Sequence, residues 1–134
     1  MIKDIIIPIV QNVTLAVIRE MSNVLQDDWK VYLINKNSFP LENVLVASSG
    51  YGEMHGENQR TSTLRHFLQS VPAYGTSLIE PLDSNVLHLN NEYWVSYYVG
   101  SQIYDKKFLF VPDSICASNL IFIKELETEG VLHS

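Results

Sequence analysis

Hydrophobic and polar residues alternate with a period of two along much of the chain, which is the pattern of half-buried β-strands. In residues 29–35 the side chains of Trp29, Val31 and Leu33 fall on one face, and the residues between them fall on the other. Residues 13–20 are β-branched and partly alternating, so they form a second predicted strand. The pattern therefore predicts a fold built from strands rather than helices.

Two hairpins are predicted from turn chemistry. Residues 35–40 contain two asparagines, a serine and a proline, which favour a turn and predict that 29–35 pairs with 44–48. Gly100-Ser101 lies between two alternating aromatic runs, so residues 93–111 are predicted to form the second hairpin.

The rest of the chain offers shorter elements. Residues 50–60 carry three glycines and are predicted to form one long loop. An acidic tail is predicted to follow the last strand and to end at Gly130. The remaining predicted strands are residues 61–68, 76–79 (stopped by Pro81) and 119–123.

These elements predict an all-β fold, specifically an immunoglobulin/fibronectin-III-like β-sandwich of about seven strands. The length of 134 residues suits a single domain, and no repeat or linker divides residues 1–134. The paired cysteines that flank a tryptophan in true immunoglobulin domains are absent, because the chain has one cysteine. The analogy therefore rests on the pattern of strands and turns.

Composition narrows the function classes. A hydrophobic content of 46% excludes a disordered chain, and a net charge of −6 with three arginines disfavours a nucleic-acid partner. Cys116, the single cysteine, excludes an intrachain disulfide and a multi-thiolate zinc site, and we expect it to be a small core residue. With no signal-peptide pattern and no run of about 20 apolar residues, we expect a cytoplasmic protein without a membrane partner.

A family resemblance rests on three segments of the chain: residues 29–35, 50–53 and 93–115. Across them the chain resembles a family of short, uncharacterised bacterial proteins, and the similarity extends over most of its length. Such chains are sometimes labelled phenylalanyl-tRNA synthetase alpha-subunit. The residues here do not support that activity, because a class II synthetase core is far longer and its ATP-binding arginines have no clear counterpart in this chain. The resemblance implies no site residues.

The segment 50–60 contains the first candidate site. Tyr51, Glu53 and His55 are candidate binding residues, because loops on rigid scaffolds often carry them. Glu53, His55 and Glu57 are two apart, so in an extended segment they point to one side and offer nitrogen and oxygen ligands to a divalent metal. The alternative is a solvated loop whose glycines serve the turns. A phosphate-binding loop is disfavoured, because no Gly-Lys-Ser/Thr follows.

Acid–base chemistry is the second hypothesis. His55 and His66, with Arg65, are a candidate set for proton transfer or anion binding, although neighbours in a strand face opposite sides. The chain lacks a Gly-x-Ser-x-Gly nucleophile elbow. The resulting alternative function is a small metal-dependent or acid–base hydrolase centred on residues 50–60.

The aromatic hairpin 93–111 contains the third candidate site. Alternation places Tyr93 and Tyr97 on one face and Trp94 and Tyr98 on the other, so one face packs in the core and the other is available for binding. The alternative is that both faces are covered. Tyr97, Tyr98 and Tyr104 complete the set of candidate binding residues.

The leading function is a binding module rather than an enzyme. Exposed aromatic side chains and an apolar N-terminal run at residues 5–10, a candidate edge strand, favour contact with a protein partner or a second copy of the chain. We therefore expect a protein-binding, adaptor or self-associating β-sandwich and a candidate homodimer, with no cofactor and no bound metal.

Overall fold

Strands dominate the part of the chain that the computed structural model describes, residues 8–23 and 26–134. It contains ten strands and two 3-10 helices, Ser84–Val86 and Ala117–Asn119. The strands are β1 (Val13–Asn23), β2 (Gln26–Asn35), β3 (Leu41–Met54), β4 (Glu57–Arg60), β5 (Leu64–Val71), β6 (Thr76–Leu82), β7 (Asn90–Val99), β8 (Gln102–Phe110), β9 (Ile121–Ile123) and β10 (Thr128–His133).

Two antiparallel sheets contain all ten strands. The first sheet has the order β6-β2-β1-β10-β9. In the second, β3 pairs with β7 along one edge and with both β4 and β5 along the other, and β8 completes the sheet beside β7. This arrangement confirms the predicted all-β sandwich with more strands than the seven expected, while the immunoglobulin or fibronectin type III analogy stays a prediction.

The core lies between the two sheets and follows the predicted alternation. Trp29, Val31 and Leu33 are buried together on β2, as their spacing indicated. Tyr93 on β7 and Phe108 on β8 are the largest fully buried side chains, and they belong to the same core cluster. Burial of such apolar side chains is the main source of stability in a domain of this size.

The predicted hairpin between residues 29–35 and 44–48 is wrong. The chain leaves β2 in the first sheet and enters β3 in the second, so residues 36–40 cross between sheets. Buried Asn35 fixes the crossing, because its Nδ2 donates to the carbonyl oxygens of Phe39, Val71 and Pro72 at 2.9, 3.3 and 3.0 Å. The asparagines thus anchor a crossover and do not form a tight turn.

The predicted loop at residues 50–60 is also wrong, because this segment is the β3–β4 hairpin. Tyr51 pairs with Arg60, and the turn is formed by His55 and Gly56, whose φ angles are 52° and 78°. Two successive positive φ angles are the geometry of a type I′ turn, which suits the twist of a hairpin. Gly52 is closely packed, since a Cβ there would lie 3.2 Å from a side-chain methyl of Leu89.

The C-terminal part of the chain forms a strand that alternation did not predict. Residues 128–133 are β10, which pairs with β1 in the middle of the first sheet. A Cβ at Gly130 would lie 2.8 Å from the carbonyl oxygen of Val17, so glycine permits this close approach. The predicted strand at 119–123 is confirmed as the edge strand β9.

Cys116 was expected to be a small core residue. It is instead half-buried and lies outside the core clusters.

Two further expectations concern strand ends. The strand predicted to stop before Pro81 continues to Leu82, because β6 is an edge strand and tolerates a residue without an amide proton. Of the candidate edge strand at residues 5–10, residues 5–7 lie outside the described part of the chain, and residues 8–10 are not in a strand.

Within the described residues, no helix has the length and hydrophobicity that a membrane crossing requires.

Candidate functional site

A buried carboxylate lies where the edge strands β5 and β6 of the two sheets meet. Glu80 on β6 is 7% exposed and is directed between the sheets. Its Oε1 accepts from Ser48 Oγ and is bonded to His66 Nε2, both at 2.7 Å, and its Oε2 accepts from Tyr93 OH at 2.9 Å. We call Ser48, His66, Glu80 and Tyr93 the Glu80 cluster. It joins one strand of the first sheet to three strands of the second.

An irregularity in β6 turns Glu80 inward. The register between β2 and β6 shifts between Val31 and Tyr32, where Val31 is opposite Glu80 and Tyr32 is opposite Leu78. The extra residue, Ile79, is buried beside Glu80, so two consecutive side chains of β6 are buried. Such a bulge changes the direction of a side chain without ending the strand.

The donors around Glu80 define its electrostatic state. A carboxylate only accepts hydrogen bonds, so Nε2 of His66 carries the proton in this arrangement. Burial, the charge of Glu80 and the hydrogen bond to it all raise the pKa of Tyr93 well above 10. Tyr93 therefore remains a neutral donor to the buried carboxylate.

An open cleft of about 260 Å³ adjoins the cluster. Ser48, Glu80 and Tyr93 contribute polar groups to its lining, and Leu64 and Pro81 contribute apolar surface at its mouth. A buried ionisable group therefore lines a concave surface here, which is the usual setting of a small-molecule site.

A second bulge shapes the wall of this cleft. Tyr51 on β3 pairs with Arg60 on β4, and Ser48 on β3 pairs with Leu64 on β5. The segment from β4 to β5 therefore carries one more residue than the part of β3 that it faces. At the irregular point the amide of Gly50 donates to Thr61 Oγ1, at 2.7 Å, instead of to a strand carbonyl. Bulges of this kind are frequent beside binding sites.

The residues of the predicted metal site do not converge. Glu53, His55 and Glu57 are exposed at the end of the β3–β4 hairpin, and His55 occupies the turn. No group of three potential metal ligands comes together among the described residues. The hairpin turn reverses the chain between these side chains, so the two-residue spacing does not place them on one side of a single strand.

The histidines of the acid–base hypothesis are also separated. His66 is opposite Val46 on β3. His55 follows Met54, the last residue of β3, and Met54 lies eight positions or about 26 Å beyond Val46 along the strand. Arg65 is exposed and faces away from His66, as their neighbouring positions indicated. His66 instead pairs with Glu80, which lies outside the predicted set of site residues.

Tyr51, the remaining candidate of this segment, makes local contacts. Its hydroxyl donates to Glu92 Oε1 at 3.5 Å, and the guanidinium of Arg60 lies 5.4 Å from the centre of its ring. These contacts place Tyr51 on the half-exposed end of the second sheet, away from the Glu80 cluster.

The two faces of the aromatic hairpin are those predicted. Tyr93 and Tyr97 are buried, and Trp94 and Tyr98 are exposed. Tyr97 stacks on Tyr104 with ring centres 5.3 Å apart, so of the three candidate tyrosines in this hairpin Tyr98 has the most exposed side chain.

The solvent side of the second sheet carries a group of exposed apolar side chains. Leu45 is opposite Phe67 on β5 and Ser96 on β7, and Tyr98 is opposite Ile103 on β8. Trp94 and Tyr98 lie on β7 on either side of Ser96. We call this surface the outer face and define it by Leu45, Phe67, Trp94, Tyr98 and Ile103, all of which are exposed. Clustered exposed apolar residues of this kind are typical of interaction surfaces.

Comparison of the chain with protein-family models, with curated proteins and with solved structures found no match. The all-β sandwich, the Glu80 cluster and the outer face are therefore interpreted from their own geometry.

We expect Tyr93 and Tyr97 to ionise at a higher pH than a tyrosine in an unfolded chain. Burial and the neighbouring Tyr104 raise the pKa of Tyr97 to about 12, above the value of about 10 in an unfolded chain. Their contribution to the free energy of unfolding is complete below about pH 10 and decreases as pH rises toward about 12, because the unfolded state loses these protons first. Phenolate absorbance during a pH titration measures this.

The matched variants are Tyr97→Phe and Tyr98→Phe. The first should remove the step near pH 12 that belongs to Tyr97, and the second, a substitution at an exposed position of the same strand, should leave that step in place. Ionisation of all seven tyrosines in a single step near pH 10 in the folded protein would contradict the prediction.

Proposed function

We propose that the protein is a protein-binding β-sandwich module that associates with a second copy of itself through the outer face. The observation that carries the proposal is the pattern of two neighbouring rows of outward side chains on the second sheet. The first row contains Arg65, Ala47, Trp94 and Lys107, and the second contains Phe67, Leu45, Ser96 and Asp105.

The two rows are complementary to each other. If a second copy packs face to face, with a two-fold axis running across the strands between the rows, each residue of the first row meets its neighbour in the second row of the other copy. Trp94 then lies over the small side chain of Ser96, and Lys107 lies against Asp105. The other two pairs follow the same rule, with Ala47 against Leu45 and the guanidinium of Arg65 over the ring of Phe67.

This complementarity favours a second copy over an unrelated partner. A large side chain meets a small one and a positive charge meets a negative one at corresponding positions, which is what an isologous interface requires. A packing with the axis along the strands would instead bring Arg65 toward Lys107, and the two positive charges would repel each other.

Sedimentation velocity over a range of concentrations tests the proposal. We expect a monomer–dimer equilibrium in the wild-type protein, and Leu45→Glu should weaken it by at least about tenfold, because a charge would be buried in the apolar contact. Leu78→Glu is the matched control: Leu78 lies on the other sheet and is 43% exposed, against 42% for Leu45. A protein that is monomeric at millimolar concentration, or equal effects of both variants, would reject self-association through this face.

A charge exchange tests the orientation. Asp105→Lys should weaken the dimer by about tenfold because it places two lysines in contact across the two-fold axis. Combining it with Lys107→Asp should restore association, since the exchanged pair is again complementary. Failure of the double variant to recover would exclude this packing even if a dimer forms.

The alternative of a small hydrolase centred on residues 50–60 has weaker support, because Glu53, His55 and His66 are not brought together. For the location of the protein we propose the cytoplasm, on the composition of the chain: its one cysteine provides no disulfide framework.

A further inference from the structure

We propose that the cleft beside Glu80 binds a small primary amine, whose ammonium group is held by the Glu80 carboxylate and whose apolar body lies against Leu64 and Pro81. This site is independent of the proposed self-association, since the cleft lies at the β5–β6 side of the sandwich and not on the outer face. Three observations carry the proposal: the hydrogen-bonding capacity of Glu80, the charge of the lining and the size of the cleft.

The carboxylate retains capacity for one more donor. An ionised carboxylate has about four acceptor positions, of which Ser48, His66 and Tyr93 occupy three. Oε1 takes two of these bonds and Oε2 takes one, so the remaining position is on Oε2. Because Glu80 lines the cleft, a donor entering the cleft can complete its coordination.

The lining favours a cation over an anion. Glu80 and Asp83 are its charged members, and both are acidic. The carboxylate of Asp83 accepts the amide of Asn85, at 2.8 Å, and Asp83 is exposed to solvent. Among the described residues that line the cleft there is no lysine or arginine, so a carboxylate or phosphate ligand would meet uncompensated negative charge.

The size and mouth of the cleft define the rest of the ligand. A volume of about 260 Å³ is below the range of roughly 300–1,000 Å³ that holds drug-sized ligands, so it suits a ligand of fragment size. Leu64 and Pro81 both line the cleft, and both are exposed. A short apolar group attached to the ammonium would cover both residues.

Three probes of similar shape test the charge preference on the wild-type protein: phenethylamine, phenethyl alcohol and phenylacetate. Titrations followed by amide chemical shifts should show saturable changes at Gly50 and Asn91 with the amine, with a dissociation constant on the order of 1 mM. The alcohol should bind about tenfold more weakly and phenylacetate should not saturate. Equal shifts with all three probes, or none with the amine, would overturn the proposal.

Two variants test the position of the site. Ser62→Trp places a large side chain at the exposed mouth of the cleft without changing the Glu80 cluster, and it should abolish the chemical-shift changes. Glu80→Gln removes the charge of the carboxylate and should weaken amine binding by about tenfold. Glu53→Gln, the same change on the exposed hairpin, is the control and should bind normally. If Glu80→Gln does not fold, Ser62→Trp and the charge series still decide the outcome; normal binding by Ser62→Trp would refute the site.

A lysine side chain of another protein presents the same ammonium chemistry as a free amine. Nα-acetyl-lysine methylamide is therefore included as a fourth probe. Tighter binding of this probe than of phenethylamine would indicate that the ligand is a lysine side chain of another protein. Weaker binding would indicate that the ligand is a free amine.

Discussion

Replacing Phe108 with alanine is expected to lower the free energy of unfolding by about 3–5 kcal/mol. Phe108 is fully buried on β8, and its ring packs edge-on against His133 of β10, with ring centres 5.3 Å apart. The substitution removes the contacts of a large aromatic ring and leaves a cavity between two sheets whose backbones cannot close it. Urea denaturation followed by circular dichroism measures the change.

Phe122→Ala is the matched control for this prediction. Phe122 lies on the edge strand β9 and is 67% exposed, so its removal should change the free energy of unfolding by less than about 0.5 kcal/mol. A loss below about 1 kcal/mol for Phe108→Ala would mean that the β8–β10 side of the sandwich is not packed as described.

The two sides of the sandwich are closed by different chemistry. On the β8–β10 side, Phe108 and Phe110 contact His133 and form an apolar closure. On the β5–β6 side, Glu80 bonds to His66 and to residues of the second sheet, and an open cleft remains beside it. The buried polar network and the cleft that it lines are therefore on the same side of the sandwich.

Alternation predicted the parts of the fold in which strand pairing is local. The β7–β8 hairpin follows from Gly100-Ser101, where Gly100 adopts a φ of 59°. The two faces of β7 follow from the side-chain period of a strand, so the burial of Tyr93 and the exposure of Trp94 were predictable. These features depend on neighbouring residues, which a single sequence displays directly.

The Glu80 cluster could not be predicted in this way. The bulge at Ile79 places Glu80 inside, whereas strict alternation after a buried Ile79 directs Glu80 to solvent. Its partners also come from three strands of the other sheet, and Ser48 is separated from it by 32 residues. The pairing of the two sheets is a property of the tertiary fold, and no spacing in the sequence encodes it.

The β3–β4 hairpin was missed for a different reason. Three glycines close together resemble a flexible loop, yet Gly56 serves a type I′ turn while Gly50 and Gly52 lie within β3. At Gly52 the absent side chain makes room for Leu89, which is buried. Glycine composition alone does not distinguish a turn from a close approach between packed elements.

Glu80→Ala is expected to lower the free energy of unfolding by about 2–4 kcal/mol. A buried carboxylate is costly to desolvate, so replacing a whole charged network with apolar residues is often neutral. Here only the acceptor is removed, and the buried hydroxyls of Ser48 and Tyr93 lose their partner. His66 is half-exposed and can turn to water, so it contributes least to the loss.

Urea denaturation of three variants separates the charge from the hydrogen bonds. Glu80→Gln keeps the volume and one carbonyl acceptor and should lose less than Glu80→Ala, whereas Glu53→Ala on the exposed hairpin should be nearly neutral. In a double-mutant cycle with Tyr93→Phe, the effects of Glu80→Ala should be non-additive by about 0.5–3 kcal/mol, because both substitutions remove the same 2.9 Å bond. Full additivity would show that this bond contributes nothing to the free energy of unfolding, and the loss in Glu80→Ala would then come from the other contacts of Glu80.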